Sequence, residues 1–352
     1  MKVIHFAPYF SYASGTNTYL RHLLFALNKH GIEMFLITNN RIAFNDIALQ
    51  NIDIDFIRFE TGIKNFFYII GNLRSLSSKI VNNIDIVHSH HRYPELISNI
   101  LKKRCRKTVA TAHSRVYGLK HISFRSDGII VPCKYLADYL VKNFNVPAGK
   151  IHVLYNCIDP ELYEKFNSMN HVNRHSLNIK PDEIVFLYAG AICKEKGIDY
   201  LCEVFQEFSK DNENIKLILA GNIIDKRLTR YSSDNLIFTG YTKYPVEYYK
   251  LADVLVHPSY NDVLPYAVLE AGYLGKIIIA SDAGGIPEII KGNENGFLFK
   301  AGDKTELRNL FHYVANNLEN CRRAGLNLQR EIKEITSADK YVKSLIEIYE
   351  SD

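Results

Sequence analysis

The sequence predicts an α/β protein of two doubly wound domains, and three observations predict it. Short runs of almost unbroken apolar residues alternate with amphipathic segments along the chain. The alternation relaxes once, from Asp159-Pro160 through a polar stretch to Lys180-Pro181, and then restarts. The length of 352 residues exceeds one ordinary domain and suits two. Strands that are apolar throughout belong to parallel sheets covered by helices on both faces. The first domain is expected over residues 1–165 and the second over 166–337, with a closing helix over residues 338–352 packing back on the first. In such folds ligands bind beyond the carboxyl ends of the strands, here in a central cleft faced by both domains.

Taken in order, Val3–Ala7 reads as a buried strand, broken at Ser14-Gly15-Thr16. Tyr19, Leu20, Leu23, Leu24 and Leu27 recur at helical spacing, and Gly31 stands where a helix C-cap belongs. The next strands are Met34–Thr38, Ile54–Phe59, Ile84–His88, Thr108–Ala112, Gly128–Val131 and His152–Leu154. After the polar stretch come Ile184–Ala189, Lys216–Ala220, Leu236–Thr239, Val254–His257, Ile277–Ala280 and Phe297–Phe299. The final segment, Asp339–Tyr349, is amphipathic through Tyr341, Leu345, Ile346, Ile348 and Tyr349.

Composition narrows the class. With 47% hydrophobic and 23% charged residues, the chain is neither disordered nor collagen-like. No stretch approaches the ~18 uncharged apolar residues of a transmembrane helix. Met1–Phe6 shows no charged segment leading into a long apolar run, so a secretory leader is not expected. Cys105, Cys133, Cys157, Cys193, Cys202 and Cys321 form no C-x-x-C pair, which fits reduced thiols in a cytoplasm.

The net charge of +5 conceals an asymmetry. Residues 1–150 carry 20 Lys and Arg against 9 Asp and Glu, whereas residues 151–352 carry 23 against 29. A basic half beside an acidic half points to an anionic partner for the first domain. No recognition helix, zinc-finger spacing or aromatic RNA-binding signature accompanies it, so nucleic acid is not expected and an anionic membrane surface is. The densest cluster, Lys102-Lys103-Arg104-Cys105-Arg106-Lys107, reads equally well as a solvated helix end.

Five constellations stand at strand ends. Ser14-Gly15-Thr16 lets backbone approach an anion at a helix start, although an ordinary turn is the more economical reading and no G-x-G-x-x-G is present. Gly190 through Gly197 contains Lys194 and Lys196, of which one could neutralise a diphosphate leaving group, although by spacing alone solvated helix-start lysines are the more economical reading. Pro258 through Ala271 places Asp262 in a loop and Glu270 a turn inside the following helix, with Pro265 suited to the first helical position and Gly275 to the stop. Two such carboxylates can accept from sugar or ribose hydroxyls, and amides near Leu264 and Tyr266 can donate to an anion; a capping Asp262 and a surface Glu270 form the equal alternative. Ala283-Gly284-Gly285-Ile286-Pro287-Glu288 repeats the strand–glycine–helix pattern, with a plain turn again the alternative. Last, His88-Ser89-His90-His91 and His113 follow two strands. Zinc needs three or four converging ligands, which this spacing does not demand, so no metal is expected. His113 is the better substrate contact, with a satisfied loop histidine as its alternative. Asp53-Ile54-Asp55 lies in an alternating run and reads as strand.

In their order and spacing these elements resemble glycosyltransferase family 4, retaining transferases of the GT-B fold that use nucleotide-diphosphate sugar donors. The likeness runs through Gly15, Asp85-Ile86-Val87-His88-Ser89-His90, Thr111-Ala112-His113, Asn156-Cys157-Ile158-Asp159, Gly190 to Gly197, Leu219-Ala220-Gly221, Ala252-Asp253, Pro258-Ser259, Asp262 to Ala271 and Gly284 to Glu288. The resemblance implies that Asp262 contacts the donor sugar, Glu270 holds ribose hydroxyls and Lys196 binds the diphosphate. It further implies phosphate contacts by amides at Leu264 and Tyr266, a donor contact at Gly190, base contacts at Gly240-Tyr241-Thr242, a place for His113 beside the transferred sugar, and close backbone approach to donor phosphates and acceptor at Gly15. Two positions differ from the family pattern. Asp262 replaces the commoner glutamate, and Ala191 or Ile192 stands where an arginine often pairs with the diphosphate.

The function this implies is hexosyl transfer from a UDP-linked sugar, taken as substrate with no further cofactor and no metal. The acceptor would be a glycan or lipid-linked saccharide in surface polysaccharide or lipopolysaccharide synthesis, met at the inner face of the cell membrane. Two alternatives remain at this stage: a non-catalytic nucleotide-sugar-binding partner subunit, suggested by the missing arginine, and a sugar-nucleotide epimerase. Oligomeric state is not encoded in any pattern found.

Overall fold

In a computed structural model of the chain, the structure describes residues 1–7, 14–38, 52–56, 84–167, 172–243 and 245–351. In chain order the main elements are β1 (Lys2–Phe6), α1 (Gly15–Lys29), β2 (Glu33–Thr38), β3 (Ile52–Phe56), β4 (Ile86–Ser89), α2 (Arg92–Leu101), β5 (Lys107–Thr111), β6 (Gly128–Val131), α3 (Lys134–Phe144), β7 (Ile151–Val153) and α4 (Pro160–Asn167). They continue as β8 (Ile184–Ala189), α5 (Ile198–Lys210), β9 (Ile215–Ala220), β10 (Leu236–Gly240), α6 (Val246–Leu251), β11 (Val254–His257), α7 (Tyr266–Tyr273), β12 (Ile277–Ser281), α8 (Ile286–Ile289), β13 (Phe297–Phe299), α9 (Lys304–Asn316), α10 (Leu318–Ile335) and α11 (Ala338–Glu350). The observed strands match the apolar runs to within about a turn of either end; residues 57–59 of the run Ile54–Phe59 lie outside the described residues.

The chain divides into two compact units, Met1–Leu162 with Ser337–Asp352, and Tyr163–Thr336. The first unit holds a parallel sheet in the order β3-β2-β1-β4-β5-β6-β7. Helix α1 forms because Ser14 caps it, its Oγ accepting from the Asn17 amide, and because Tyr19, Leu20, Leu23, Leu24 and Leu27 present one fully buried stripe. The closing helix α11 belongs to this unit. Its Tyr341 hydroxyl lies 2.7 Å from that of Tyr19, and its Tyr349 hydroxyl lies 2.7 Å from His88 Nδ1.

Part of the basic hexapeptide is spent on this contact. Lys107 is buried, and its ammonium donates to the carbonyls of Ile348 and Ser351, while Arg106 donates to the Tyr349 carbonyl. Cations at a helix C-terminus neutralise the orphaned carbonyls there. Lys102 pairs with Asp127.

The second unit holds a parallel sheet in the order β10-β9-β8-β11-β12-β13. Its core is aromatic on one face, where Phe186, Phe205, Phe208 and Phe311 meet with ring centroids 5.0–6.3 Å apart. In each sheet the strand order reverses once, between β1 and β4 and between β8 and β11. Loops leaving neighbouring strands there diverge to opposite faces and open a crevice at the carboxyl ends.

Candidate active site

The loops after β8 and β11 supply the charged residues of the second unit's switch point. After β8, the chain opens at Gly190, whose amide donates to the Ala220 carbonyl, and makes a short 3-10 turn, Lys194–Lys196. After β11, Pro258 to Pro265 leads into α7. Pro265 is the N-cap of α7 rather than its first residue: its ψ of 129° is extended, and its carbonyl accepts from the amides of Val268 and Leu269. This corrects the sequence reading by one position.

Lys196 Nζ lies 2.6 Å from Asp262 Oδ2, and His257 Nε2 lies 3.0 Å from the same oxygen. Asp262 Oδ1 accepts from the Val263 amide at 3.0 Å. Asp262 therefore does not cap α7; its carboxylate is the hub of a charge cluster. Burial disfavours its ionisation, but donation from His257 and the charge of Lys196 outweigh that and hold the carboxyl well below the usual range. A carboxylate only accepts, so His257 carries its proton on Nε2. His257 is 3% exposed, at the end of β11, with the Tyr188 ring stacked on it at 6.2 Å.

Backbone contacts hold both loops in place. Gly197 has φ +72°, and a Cβ there would lie 2.1 Å from the Pro258 carbonyl oxygen. Gly284 has φ +61°, and a Cβ there would lie 1.7 Å from the Asp262 carbonyl oxygen. The Tyr200 hydroxyl also donates to the Pro258 carbonyl, and the Gly285 amide donates to the Val263 carbonyl at 2.7 Å. The segment carrying Asp262 is thus pressed between the turn after Lys196 and the turn after β12. Gly284→Ala is expected to cost about 2–4 kcal/mol through the clash and the left-handed backbone together. Denaturant melts would check this, and wild-type stability in the variant would refute it.

Glu270 is 8% exposed inside α7, and its Oε2 accepts from the Tyr249 hydroxyl at 3.0 Å. The surface alternative for Glu270 is thereby excluded. Burial first, and then the Glu270 charge, push the Tyr249 hydroxyl well above its usual range. Leu264 and Tyr266 are buried, at the start of α7. Tyr241, just past β10, is exposed. Of the two residues that stand where the arginine is often found, Ala191 is half-buried and Ile192 is fully buried in the core, whereas Lys194 is exposed. The fold thus brings Lys196 and Asp262 into contact, while Glu270 takes its bond from Tyr249.

In the first unit, Gly15 is the first residue of α1, beside the capping Ser14. His113 follows β5, its ring 4.8 Å from that of Tyr19 and 6.0 Å from that of His90. Its Nε2 is shielded from solvent and has no hydrogen-bond partner among the described residues. Burial first, then the neighbouring His91, lower its pKa to about 3. His113 lines a pocket with His90, His91, Arg92, Glu95 and Phe124.

Register explains the remaining histidines. His5 of β1 pairs with His88 of β4, and His90 lies two positions further on the same side. Ligand atoms of these three lie within 4.8 Å of one another, so the group could hold a cation. Hydrogen bonds also tie the three rings into the fold. His5 Nδ1 meets His90 Nε2 at 2.9 Å, and both nitrogens of His88 are engaged, by Tyr349 and by Thr111, at 2.7 Å. No carboxylate belongs to the group; His88 has no nitrogen left for an ion, whereas His5 Nε2 and His90 Nδ1 are buried without a hydrogen-bond partner among the described residues.

Sequence reasoning missed His257 and Tyr249. A histidine closing a strand five residues before Asp262 was the available signal for the first; nothing in the pattern marks the second.

Comparison with known proteins places this geometry. Residues 13–162 match the family model described as Glycosyltransferase Family 4, and residues 170–330 match Glycosyl transferases group 1. An uncharacterized glycosyltransferase of Methanocaldococcus jannaschii is 27% identical over 61% of this chain and 62% of its own length. The lipopolysaccharide 1,2-N-acetylglucosaminetransferase of Salmonella typhimurium is 26% identical over 70% of each chain. The crystal structure of Anabaena HepE in complex with UDP and glucose superposes with a TM-score of 0.81 over all of both chains, at 16% identity, which establishes a common fold. The two family models fall one on each unit, on sheets of the doubly wound kind, and the chain belongs to the family 4 glycosyltransferases, with the GT-B fold.

Proposed function

We propose that the protein transfers a hexosyl unit from a UDP-linked sugar, with retention and without a metal, to a glycan or lipid-linked saccharide at a membrane surface, in lipopolysaccharide or surface polysaccharide synthesis. The observation that carries this is the Lys196–Asp262–His257 cluster at the carboxyl end of β8 and β11. Lys196 supplies one positive charge where a diphosphate would depart, and the start of α7 adds its dipole. Asp262, kept ionised and aimed by His257 and Lys196, accepts from donor-sugar hydroxyls. Glu270, oriented by Tyr249, accepts from ribose. In a front-face reaction the leaving phosphate oxygen takes the acceptor's proton, so no second carboxylate is required. His113 is neutral and serves as a polar contact to the transferred sugar; Gly15 allows close backbone approach to phosphates and acceptor, Gly190 contacts the donor and Tyr241 the base. Relatives support the reading: the Salmonella enzyme is named for lipopolysaccharide, and Anabaena HepE was crystallised with UDP and glucose.

A thermal-shift panel of nucleotide sugars tests it. UDP-sugars are expected to raise the melting temperature, because a ligand at a hundred times its Kd adds about 2.7 kcal/mol to the native state. Equal shifts with every nucleotide, or none with any, would refute the donor assignment. A second reading, donor binding without transfer, is favoured by the absence of a cation at Ala191 and Ile192, where the family often has arginine. Calorimetric donor binding with no product on any glycan acceptor would establish that reading.

A further inference from the structure

The reading of a membrane-borne acceptor leaves open which surface meets the lipid, and on that reading the structure singles out one loop. The chain leaving β5 carries three strongly exposed apolar side chains within six residues: Tyr117 at 72%, Leu119 at 53% and Ile122 at 47%. From residue 96 to residue 126 the sequence contains no Asp or Glu, and the loop itself contributes Lys120, His121 and Arg125, all exposed. Exposed apolar groups interleaved with cations, with no acidic residue among them, match an anionic bilayer surface: cations meet headgroup phosphates while apolar groups enter the interface.

The display is built rather than incidental. Arg92 of α2 donates to the carbonyls of Tyr117 and Gly118, and the Tyr139 hydroxyl of α3 donates to the Val116 carbonyl. Glu95, buried at 1% exposure, accepts from the amides of Phe124, Arg125 and Ser126. Between these clamps the chain turns on itself, the Leu119 carbonyl accepting from the amides of Ile122 and Ser123. Leu119 sits at φ +52°, a left-handed conformation that a leucine rarely adopts. The scaffold therefore holds an apolar side chain outward in a costly conformation, where burial would be expected to win. The basic hexapeptide lies before β5, at the opposite end of that strand from this loop, and much of its charge is already engaged.

We propose that Tyr117–Ile122 is a membrane-docking loop that seats the first unit on an anionic phospholipid surface. The base of the same loop, Val116 and Phe124, lines the pocket that contains His113. A saccharide borne on a lipid in that membrane would thus reach the pocket without leaving the bilayer.

Sedimentation with phosphatidylcholine vesicles, with and without phosphatidylglycerol, tests the proposal on the full chain. The variant Tyr117→Ser/Leu119→Gly/Ile122→Ser is suited to it, because glycine accepts the φ of Leu119 and none of the three side chains is buried. Binding to phosphatidylglycerol vesicles is expected to fall at least tenfold, while the melting temperature and UDP-sugar hydrolysis stay at wild-type values. Lys120→Glu is expected to weaken binding several-fold and to flatten its salt dependence. If wild type binds and the triple variant binds equally, the loop assignment is wrong while the membrane reading stands. If wild type ignores phosphatidylglycerol, both fail, and the donor-binding assays remain to judge transfer separately.

Discussion

Lys196→Ala is expected to lower transfer turnover about 100-fold, the effect of removing one preorganised charge of about 3 kcal/mol from a developing oxyanion. Placement is the reason. The ammonium lies 2.6 Å from Asp262, on a short turn that Gly197 holds against the Pro258 carbonyl, so little reorganisation is needed for it to meet a phosphate at the same spot. The loss should fall on kcat more than on donor affinity, because the leaving group gains charge only as the glycosidic bond breaks. Asp262 keeps His257 and the Val263 amide as donors, so the variant should remain folded. Glu270→Ala, by contrast, should mainly raise the donor KM, since ribose hydroxyls gain no charge in the reaction. Steady-state kinetics on both variants decide the matter: full turnover in Lys196→Ala together with unchanged KM in Glu270→Ala would place the donor elsewhere.

The second large effect is on stability in acid. His5, His22, His88, His90 and His113 are all held neutral in the first unit. Burial lowers the pKa of His5 to about 3; burial, then Arg21, lowers His22 to about 3; burial, then His91, does so for His113. Burial and neighbouring histidines take His88 and His90 far below the ordinary imidazole range. The hydrogen bonds agree with neutrality: His22 Nδ1 accepts from the Asp159 amide, a role that an imidazolium cannot fill. The unfolded chain takes up protons near pH ~6.5 while the folded one does not. Stability is therefore complete above about pH 6.5 and falls as the pH drops toward the folded values, by about 1.4 kcal/mol per pH unit for each histidine. Against a total of roughly 5–15 kcal/mol, the unit should unfold by about pH 5. Melting curves from about pH 8 to about pH 4 will show this as a steep decline, and a flat profile between about pH 7 and pH 5 would contradict it.

Much of this architecture is legible in the residues alone. Buried parallel strands are apolar throughout, so Val254–His257, Ile184–Ala189 and Gly128–Val131 stand out at their observed bounds. Lys196, Asp262 and Glu270 follow strands in loops or early helix, where this fold places ligands, and that position is local information. Helix starts are read less sharply: Pro265 has the φ of a first helical residue, and only its ψ shows that the helix begins one residue later.

Partners are another matter. His257 is five residues from Asp262, yet the meeting of both with Lys196 needs β8 and β11 side by side, which only the sheet order supplies. His5 and His88 become neighbours through the register of β1 on β4, and no periodicity announces it. The Tyr249–Glu270 bond and the approach of Gly284 to Asp262 likewise join elements remote along the chain. Charge shows the same division. Sequence counts cations but does not say which are consumed, and the tertiary structure turns Lys107 inward onto the end of α11 while leaving Lys120 exposed beside Leu119. Local pattern determined the strands and helices, because propensity and burial act along a few residues; long-range packing alone decided which side chains face one another, because that depends on how those elements are stacked.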